Sequence, residues 1–268
     1  MSWSARQYAA FEDERTRPAR DLLAGVPLRD VSSAVDLGCG PGNSTELIAA
    51  RFPRACIVGI DASADMIAAA RARLPALRFE VADVRTWAGG AAAASSGDAP
   101  DLIFANAVLQ WLPDHAGLFP RLAAKLAPGG CLALQMPDNL GEPAQILMRE
   151  IAEQSPWRHK LAGARESRVQ IEPAEWYYRL LRAGTSRVDV WRTTYYHRLA
   201  GAGAIVEWFK GTGLLPFLAP LDAAERAEYL SRYTQAIGSA YPAAPDGGVL
   251  LPFPRLFIVA HAIPARYS

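Results

Sequence analysis

The chain has 268 residues, a net charge of +1 and 51% hydrophobic residues, enough apolar sequence for a large buried core. Because 28 basic residues balance 27 acidic ones, no overall field favours a nucleic acid or an anionic membrane as a partner. The three cysteines are isolated and predict neither a disulfide framework nor a metal site. The N-terminus carries acids where a signal peptide needs an apolar core, and no apolar run approaches the about 20 residues of a membrane span. We therefore expect a soluble, cytoplasmic protein without a metal.

The first half of the chain alternates short apolar runs with helical patterns. Buried strands are predicted at 33–37, 56–60, 77–82, 101–105 and 131–136. In the first helix, one of Asn43, Ser44 or Thr45 is expected as the N-cap. Short strands that alternate with helices imply right-handed crossovers and a mostly parallel sheet.

The pattern changes after Pro137. Residues 138–182 and 202–240 are predicted to be mainly helical, with an interruption at 211–220, while 188–196 and 255–260 are predicted as strands. The stretch 88–99 is rich in Ala, Gly and Ser and is expected to be a surface loop. We interpret residues 1–268 as one domain. Its parts are a cofactor-binding core at 30–140, an N-terminal arm at 1–29 and a largely helical substrate-covering region at 138–254.

A glycine-rich turn after the first predicted strand is the most informative segment. Gly38, Gly40 and Gly42 follow Asp36, and glycines allow positive φ and close approach of a ligand to the backbone. A helix begins just beyond, so its unpaired N–H groups face the ligand. The spacing differs from the G-x-G-x-x-G pattern of dinucleotide sites. An acid at Asp36 repels pyrophosphate and attracts an ammonium or a sulfonium group.

Acidic residues also follow the next two predicted strands. Asp61 ends the second strand, and Asp83 follows the third. Asp61 is placed to accept hydrogen bonds from both hydroxyls of a ribose. Acids after successive strands, together with the glycine turn, predict a nucleoside-cofactor site along one edge of the sheet.

Residues 30–140 resemble the S-adenosylmethionine-dependent methyltransferases of the Rossmann-like class. The resemblance implies an α/β fold: a seven-stranded, mostly parallel sheet with helices on both faces and a helical insertion or cap between the late strands. It also implies that the turn holds the methionyl group, that Asp61 binds the ribose, that Met66 packs on the adenine and that Asp83-Val84 meets the adenine amino edge. The expected cofactor-binding residues are Asp36, Gly38, Cys39, Gly40, Gly42, Asp61, Ala62, Met66, Asp83, Val84, Asn106, Ala107 and Trp111.

Further segments, at 15–19, 101–115, 135–139, 147–150, 190–197 and 253–259, resemble the branch of this class that methylates trans-aconitate. The resemblance implies a small tricarboxylate substrate and S-adenosylhomocysteine as a product. Such a substrate needs fixed cations, and arginine binds a carboxylate bidentately. The expected substrate-binding residues are Tyr8, Arg15, Trp111, Arg149, Tyr195 and Arg255. The stretch 152–172 departs from the pattern of the branch.

No catalytic base is expected. A carboxylate with a pKa near ~4 is already ionised at pH 7, so catalysis reduces to positioning the reactants and excluding water. His115 and His197 are therefore interpreted as structural residues. Three alternatives stay open: a methyltransferase for another small or carrier-bound carboxylic acid, an oxidoreductase that binds a dinucleotide, and a protein that binds the cofactor without turnover.

Overall fold

The structure is a computed structural model that describes residues 12–90, 99–154, 156–165 and 167–265. Its strands form one seven-stranded sheet in the order β3-β2-β1-β4-β5-β7-β6. The strands are β1 Ser33–Leu37, β2 Cys56–Asp61, β3 Arg78–Val81, β4 Leu102–Asn106, β5 Cys131–Pro137, β6 Arg187–Leu199 and β7 Val249–His261. The helices are α1 Glu12–Ala24, α2 Asn43–Arg51, α3 Ala64–Arg73, α4 Val84–Gly89, α5 His115–Ala124, α6 Pro143–Glu153, α7 Ala162–Arg165, α8 Ala174–Arg182, α9 Ala202–Lys210, α10 Leu215–Leu218 and α11 Ala223–Ala240.

β1 lies between β2 and β4 and pairs with both in parallel. All five of its residues are buried, as expected for a strand covered on both faces. The order of the strands reverses between β1 and β4, and ligands of open α/β sheets bind at the carboxyl ends of the strands at such a point. The glycine turn follows β1 directly, so the topology places it at this position.

β7 runs against the direction of its neighbour β5. The N–H of Ala262, just after β7, donates to the carbonyl of Gly130, just before β5, and the N–H of Asp138 donates to the carbonyl of Pro254. The strands from β3 to β5 are parallel throughout. The predicted fold, a mostly parallel Rossmann-like sheet with helices, is confirmed.

Two boundary predictions in the second half are wrong. Residues 138–182 are not one helical stretch, because loops separate α6, α7 and α8. The last strand begins at Val249 and not near residue 255. Pro252 and Pro254 lie inside it, and proline removes a donor from a sheet ladder, so the sequence pattern argues against a strand there.

The chain divides into two compact units that alternate along the sequence. One comprises residues 137–170 and 193–255, and the other comprises the described parts of 2–136, 171–192 and 256–268. The first, called here the helical unit, overlaps the segment 138–254, and 171–192 belong to the second, the sheet unit. The substrate-covering role of 138–254 stays a prediction. The core of the sheet unit includes Ile103, Leu134, Phe119 and Tyr177, each fully or almost fully buried. A single functional domain over residues 1–268 stays a prediction.

Three tyrosines fix α6 within the helical unit. The hydroxyl of Tyr229 donates to the carbonyl of Met148 over 2.8 Å, and that of Tyr233 donates to the carbonyl of Ala144 over 3.0 Å. The N–H of Ala144 donates in turn to the hydroxyl of Tyr241 over 3.1 Å. The N–H of Ala144 lies in the first turn of α6 and has no partner within the helix, so Tyr241 satisfies it. The other two hydroxyls use the second lone pairs of helix carbonyls.

Within the described ranges, no helix is long and apolar enough to cross a membrane. The same residues contain no group of three or more His, Cys, Asp or Glu side chains that could hold a metal ion.

Candidate active site

The glycine turn after β1 adopts a left-handed backbone at all three glycines. φ is +64° at Gly38, +55° at Gly40 and +94° at Gly42. A Cβ on Gly38 would lie 2.4 Å from Cγ2 of Val108, whereas a Cβ on Gly40 would meet no described atom within 4 Å. Gly38 is therefore required by packing inside the protein. Gly40 borders open space, which leaves room for a ligand against the backbone of the turn.

Asp36 is fully buried beneath this turn. Its Oδ2 atom accepts hydrogen bonds from the hydroxyls of Ser44 and Thr45, both over 2.7 Å. Burial raises the pKa of Asp36 to about 7, although the two hydroxyls oppose this shift. The Oδ1 atom is buried and has no hydrogen-bond partner among the described residues. A carboxylate in this state favours a cationic or hydrogen-donating ligand nearby.

The bonds to Asp36 also correct the predicted cap of α2. Gly42 occupies the N-cap position and supplies no side-chain cap. The hydroxyls of Ser44 and Thr45, two of the three expected candidates, point back to Asp36 and not to the helix backbone. The first N–H groups of α2 therefore have no side-chain cap.

Asp61 connects the end of β2 to the glycine turn. Its Oδ2 accepts from the N–H of Gly40 over 3.0 Å, and its Oδ1 accepts from the N–H of Ser63 over 2.8 Å. Burial raises the pKa of Asp61 above its ordinary value. An ionised carboxylate has about four acceptor positions, so each oxygen retains capacity for one further donor. Two such positions on neighbouring oxygens match the two hydroxyls of a ribose.

The end of β4 contains a strained residue. Ala107 has φ of +56°, a conformation that costs a non-glycine residue about 1–2 kcal/mol. Its N–H donates to the carbonyl of Gln135, and its carbonyl accepts from Nε2 of Gln110 over 2.7 Å. The neighbouring Asn106 has a buried Oδ1 without a partner in the described part of the chain. Strain of this kind concentrates at functional sites, and Gln110, absent from the predicted set, holds it in place.

The other predicted cofactor residues follow the ends of β1, β2, β3 and β4. Ala62 is exposed, whereas Cys39, Met66 and Val84 are buried. Burial raises the pKa of the Cys39 thiol, which keeps it protonated. Trp111 lies in a short 3-10 helix, Leu109–Trp111, directly after the strained segment. Their ligand contacts stay predictions.

Asp83 is the N-cap of α4, and its carboxylate is hydrogen-bonded within the protein. Its Oδ1 accepts from the N–H of Arg85 over 2.7 Å, and its Oδ2 accepts from Nη2 of Arg85 over 2.6 Å. These bonds lower the pKa of Asp83. Its predicted contact with an adenine amino group needs one of the remaining lone pairs.

His115 uses both ring nitrogens inside the protein. Nε2 lies 2.9 Å from the carbonyl of Leu109, and Nδ1 lies 2.7 Å from the hydroxyl of Tyr177. A carbonyl only accepts, so Nε2 carries the proton and Nδ1 accepts from the tyrosine. His197, also buried, stacks on Trp208 with ring centroids 4.6 Å apart. The structural roles of both histidines stay predictions.

Two predicted substrate arginines lie in the helical unit. Nη2 of Arg149, on α6, donates to the carbonyl of Leu140 over 2.7 Å. Arg255, on β7, is 4% exposed and places its guanidinium 4.6 Å from the ring centroid of Phe253. Tyr195 is buried beside His197. Of the remaining predictions, Tyr8 and the side chain of Arg15 lie outside the described part of the structure.

Arg168 is a cationic residue that the sequence prediction missed. Its Nη1 donates to Oδ1 of Asn139 over 2.9 Å, and its Nη2 donates to the carbonyl of Pro137 over 3.3 Å. Burial and the positive charge of Arg149 lower the pKa of Arg168 to about 10. The residue lies between α7 and α8 in the stretch that departs from the expected pattern, where no periodicity indicates its environment.

The comparisons with known proteins agree with this geometry. A family model described as a methyltransferase domain matches residues 35–132. In the solved complex of phosphoethanolamine N-methyltransferase 2 from Haemonchus contortus with S-adenosyl-L-methionine, the similarity gives a TM-score of 0.54 at 16% identity. It covers 93% of this chain and 53% of the other, and at this identity it supports the fold alone. The sheet order, the glycine turn and the matched model define a Rossmann-like methyltransferase.

Relatives that match over nearly their full length identify the family within the Rossmann-like methyltransferases. The chain is 58% identical to trans-aconitate 2-methyltransferase of Methylobacterium nodulans, over 96% of this chain and 97% of the relative. It is 57% identical to the enzyme of the same name from Rhizobium meliloti, over 97% of this chain and 98% of the relative. The chain belongs to the trans-aconitate 2-methyltransferase family.

Proposed function

We propose that this enzyme transfers a methyl group from S-adenosylmethionine to a carboxylate of trans-aconitate, giving the monomethyl ester and S-adenosylhomocysteine. The observation that carries the proposal is the 58% identity to a relative of that name over 96% of the chain. The match extends over 258 residues, well beyond the cofactor-binding core predicted at 30–140.

The residues around the turn fit the cofactor. The buried Oδ1 of Asp36 is available to an ammonium group, directly or through water. Asp61 retains acceptor capacity for ribose hydroxyls, and Gly40 borders open space in the described structure. S-adenosylmethionine, when bound, supplies a methyl group on a positively charged sulfur that a nucleophile can displace.

The protein needs no base for this transfer. A carboxylate of the substrate is ionised at pH 7 and carries its own nucleophilic electron pair. Both ring nitrogens of His115 are occupied by Leu109 and Tyr177, so this histidine has no free nitrogen to remove a proton. The protein residues instead hold the carboxylate oxygen in line with the methyl group and exclude water.

The closest rival within enzymes is a methyltransferase for another small or carrier-bound acid. A small tricarboxylate requires several fixed cations, whereas a carrier-bound acyl group requires an apolar channel. Arg149 and Arg168, close enough for the charge of one to lower the pKa of the other, favour the small anionic substrate.

Methyl transfer from labelled S-adenosylmethionine tests the proposal. The panel contains trans-aconitate, cis-aconitate, citrate, unsaturated dicarboxylates and an acyl-carrier-linked acid. We expect the highest kcat/KM with trans-aconitate and an esterase-sensitive product. A higher kcat/KM with the carrier-linked acid would support the rival, and transfer to none of these acids would contradict the proposed reaction.

A further inference from the structure

Two neighbouring hydroxyls in the sheet unit bind the same oxygen of one buried carboxylate. Ser44 and Thr45, the second and third residues of α2, both donate to Oδ2 of Asp36 over 2.7 Å. Asp36 and Thr45 are 0% exposed, and Ser44 is 6% exposed. The backbone of Asp36 is also held, since β1 pairs with β2 on one side and with β4 on the other. The carboxylate is therefore fixed in position and in orientation.

The two oxygens of this carboxylate are in different states. An ionised carboxylate has about four acceptor positions, or about two on each oxygen. The hydroxyls use the positions on Oδ2 of Asp36, whereas Oδ1 is buried and has no hydrogen-bond partner among the described residues. A buried acceptor without a donor costs free energy. A further donor, from a ligand or from a water molecule, is therefore favoured at Oδ1.

Helix capping does not account for the two hydroxyls. A capping serine or threonine accepts a hydrogen bond from a backbone N–H group. Here both hydroxyls donate to the carboxylate, and α2 has no side-chain cap. Hydrogen bonds of this kind stabilise the charged form of a carboxylate, which is the form that accepts from a cationic ligand.

The other groups around Asp36 do not supply this stabilisation. Its register partners on the two neighbouring strands, Gly59 and Phe104, are uncharged. The charge of Asp61 raises the pKa of Asp36, and the thiol of Cys39 stays protonated because burial raises its own pKa. The two hydroxyls are the groups that lower the pKa of Asp36 against the effect of burial.

We propose that Ser44 and Thr45 are positioning residues for the cofactor, which hold the Asp36 carboxylate so that its Oδ1 atom accepts from the ammonium group of S-adenosylmethionine, directly or through water. Both residues act through Asp36. Without the hydroxyls, Oδ1 would carry a proton at neutral pH, and a protonated oxygen donates a hydrogen bond to its neighbour. This inference rests on the proposed function and adds the two residues that prepare the carboxylate for the cofactor.

Thr45→Val tests the assignment, because valine has nearly the shape of threonine and lacks the hydroxyl. Ser44→Ala is the second variant, and Thr45→Ser is the conservative one. Thr185→Val is the matched control, since Thr185 is also buried and its hydroxyl donates to the carbonyl of Leu181 over 2.8 Å. Calorimetry between pH 6 and 8.5 measures the affinity of each protein for S-adenosylhomocysteine, which has the same ammonium group.

The expected result is a loss of affinity that depends on pH. Loss of a hydrogen bond to a charged group corresponds to about tenfold or more, so Thr45→Val and Ser44→Ala should each bind about tenfold more weakly than the wild type at pH 6. Each variant raises the pKa of Asp36, so the deficit should shrink as the pH rises to 8.5. The ratio of variant to wild-type affinity cancels the titration of the ligand's own amino group.

The conservative and control variants separate positioning from a general loss of structure. Thr45→Ser should recover most of the affinity, and Thr185→Val should match the wild type at every pH. A deficit of constant size from pH 6 to 8.5 in Thr45→Val and Ser44→Ala would indicate a purely structural role and overturn the inference. Wild-type affinity in both variants would also overturn it.

Binding of S-adenosylhomocysteine needs no methyl acceptor, which separates this inference from the proposed reaction. If the wild type methylates no acid but the two variants show the pH-dependent deficit, the inference holds and the reaction is wrong. If the variants methylate trans-aconitate and bind the cofactor like the wild type at every pH, the reaction stands and the inference is wrong. If the wild type neither binds S-adenosylhomocysteine nor methylates trans-aconitate, both are overturned.

Discussion

Gly40 and Asp61 are joined by a hydrogen bond of 3.0 Å, from the backbone N–H of the glycine to Oδ2 of the carboxylate. Gly40 lies in the turn after β1, and Asp61 ends β2, so the bond connects the two strand ends on which the cofactor site is predicted. One carboxylate therefore has two tasks: it supports the turn, and it offers its remaining lone pairs to a ligand.

Asp61→Ala should weaken binding of S-adenosylhomocysteine by about 1.5–3 kcal/mol, the scale of hydrogen bonds to a charged group. The ribose hydroxyls lose their acceptor, and the N–H of Gly40 loses its partner. Calorimetry on the folded variant measures the effect. Asp65→Ala, an exposed acid at the start of α3, serves as the control and should bind normally. An unchanged affinity in folded Asp61→Ala would show that the ribose contact is made elsewhere.

The buried carboxyl of Asp36 should make stability depend on pH. Its pKa rises from 3.8 to about 7 on folding, so the folded protein holds a proton that the unfolded chain has released. The resulting stabilisation is complete below pH 4 and is lost as the pH rises to 7, with a slope of at most about 1.4 kcal/mol per pH unit. Asp36→Asn removes this contribution.

Urea unfolding of the cofactor-free protein between pH 4 and 8 measures this effect. The stability of the wild type relative to Asp36→Asn should fall from pH 4 to pH 7 and stay level above it. The difference cancels the contribution of Asp61, which both proteins retain. Parallel curves over the whole range would contradict the raised pKa.

Alanine at Gly38 and at Gly40 should have different consequences. Both positions have positive φ, which costs alanine about 1–2 kcal/mol. Gly38→Ala also drives a Cβ to 2.4 Å from Val108, so we expect a larger loss of stability in urea unfolding. Gly40→Ala should remain folded but bind the cofactor more weakly, since its methyl group enters the open space beside the turn. Equal stability losses in the two variants would argue against the packing role of Gly38.

His115→Ala and His197→Ala should retain kcat within about tenfold, because the nucleophile needs no deprotonation. His115→Ala should nevertheless destabilise the fold, since it removes two buried hydrogen bonds, from Nε2 to the carbonyl of Leu109 and from the hydroxyl of Tyr177 to Nδ1, at about 0.5–1.5 kcal/mol each. Steady-state kinetics and denaturant unfolding measure the two effects separately. A loss of turnover near a thousandfold in a folded variant would reveal a catalytic base.

Arg149→Ala and Arg255→Ala should raise the KM for trans-aconitate and leave cofactor binding intact. If the arginine also sets the in-line geometry of the carboxylate and the methyl group, kcat should fall together with the rise in KM. A misplacement of the reacting atoms by ~1 Å can lower the rate ~100-fold. Kinetics with trans-aconitate and calorimetry with S-adenosylhomocysteine provide the two readouts, with Arg158→Ala as the control. Normal kinetics in both variants would mean that other residues bind the carboxylates.

The cofactor half of the molecule was largely predictable from its sequence. Its strands are short, apolar and separated by helical patterns, and β1 was placed at its observed bounds, Ser33–Leu37. The positive φ values of Gly38, Gly40 and Gly42 follow the property that sets glycine apart from other residues. In this region the local sequence preferences agree with the tertiary structure. Patterns of a few residues are therefore enough to predict the strands and the turn.

The substrate half depends more on tertiary contacts. Arg168 has no local signal, because its role comes from Asn139 and Pro137, about 30 residues away. The hydroxyls of Ser44 and Thr45 suit a helix cap, but the buried Asp36 competes successfully for both. The prolines in β7 argue against a strand that its neighbours nevertheless impose. In each case a partner distant in sequence outweighs the local preference.

At Ala107, laboratory evolution can select for thermal stability and for turnover rate separately. Glycine there would relieve the about 1–2 kcal/mol of left-handed strain and give back about 0.5–1 kcal/mol through a more disordered unfolded chain, a small net gain in stability. The same replacement would let the carbonyl held by Gln110 move more freely at the end of β4. A screen for thermal stability alone would therefore enrich variants with glycine at position 107. A screen for turnover rate would enrich alanine there.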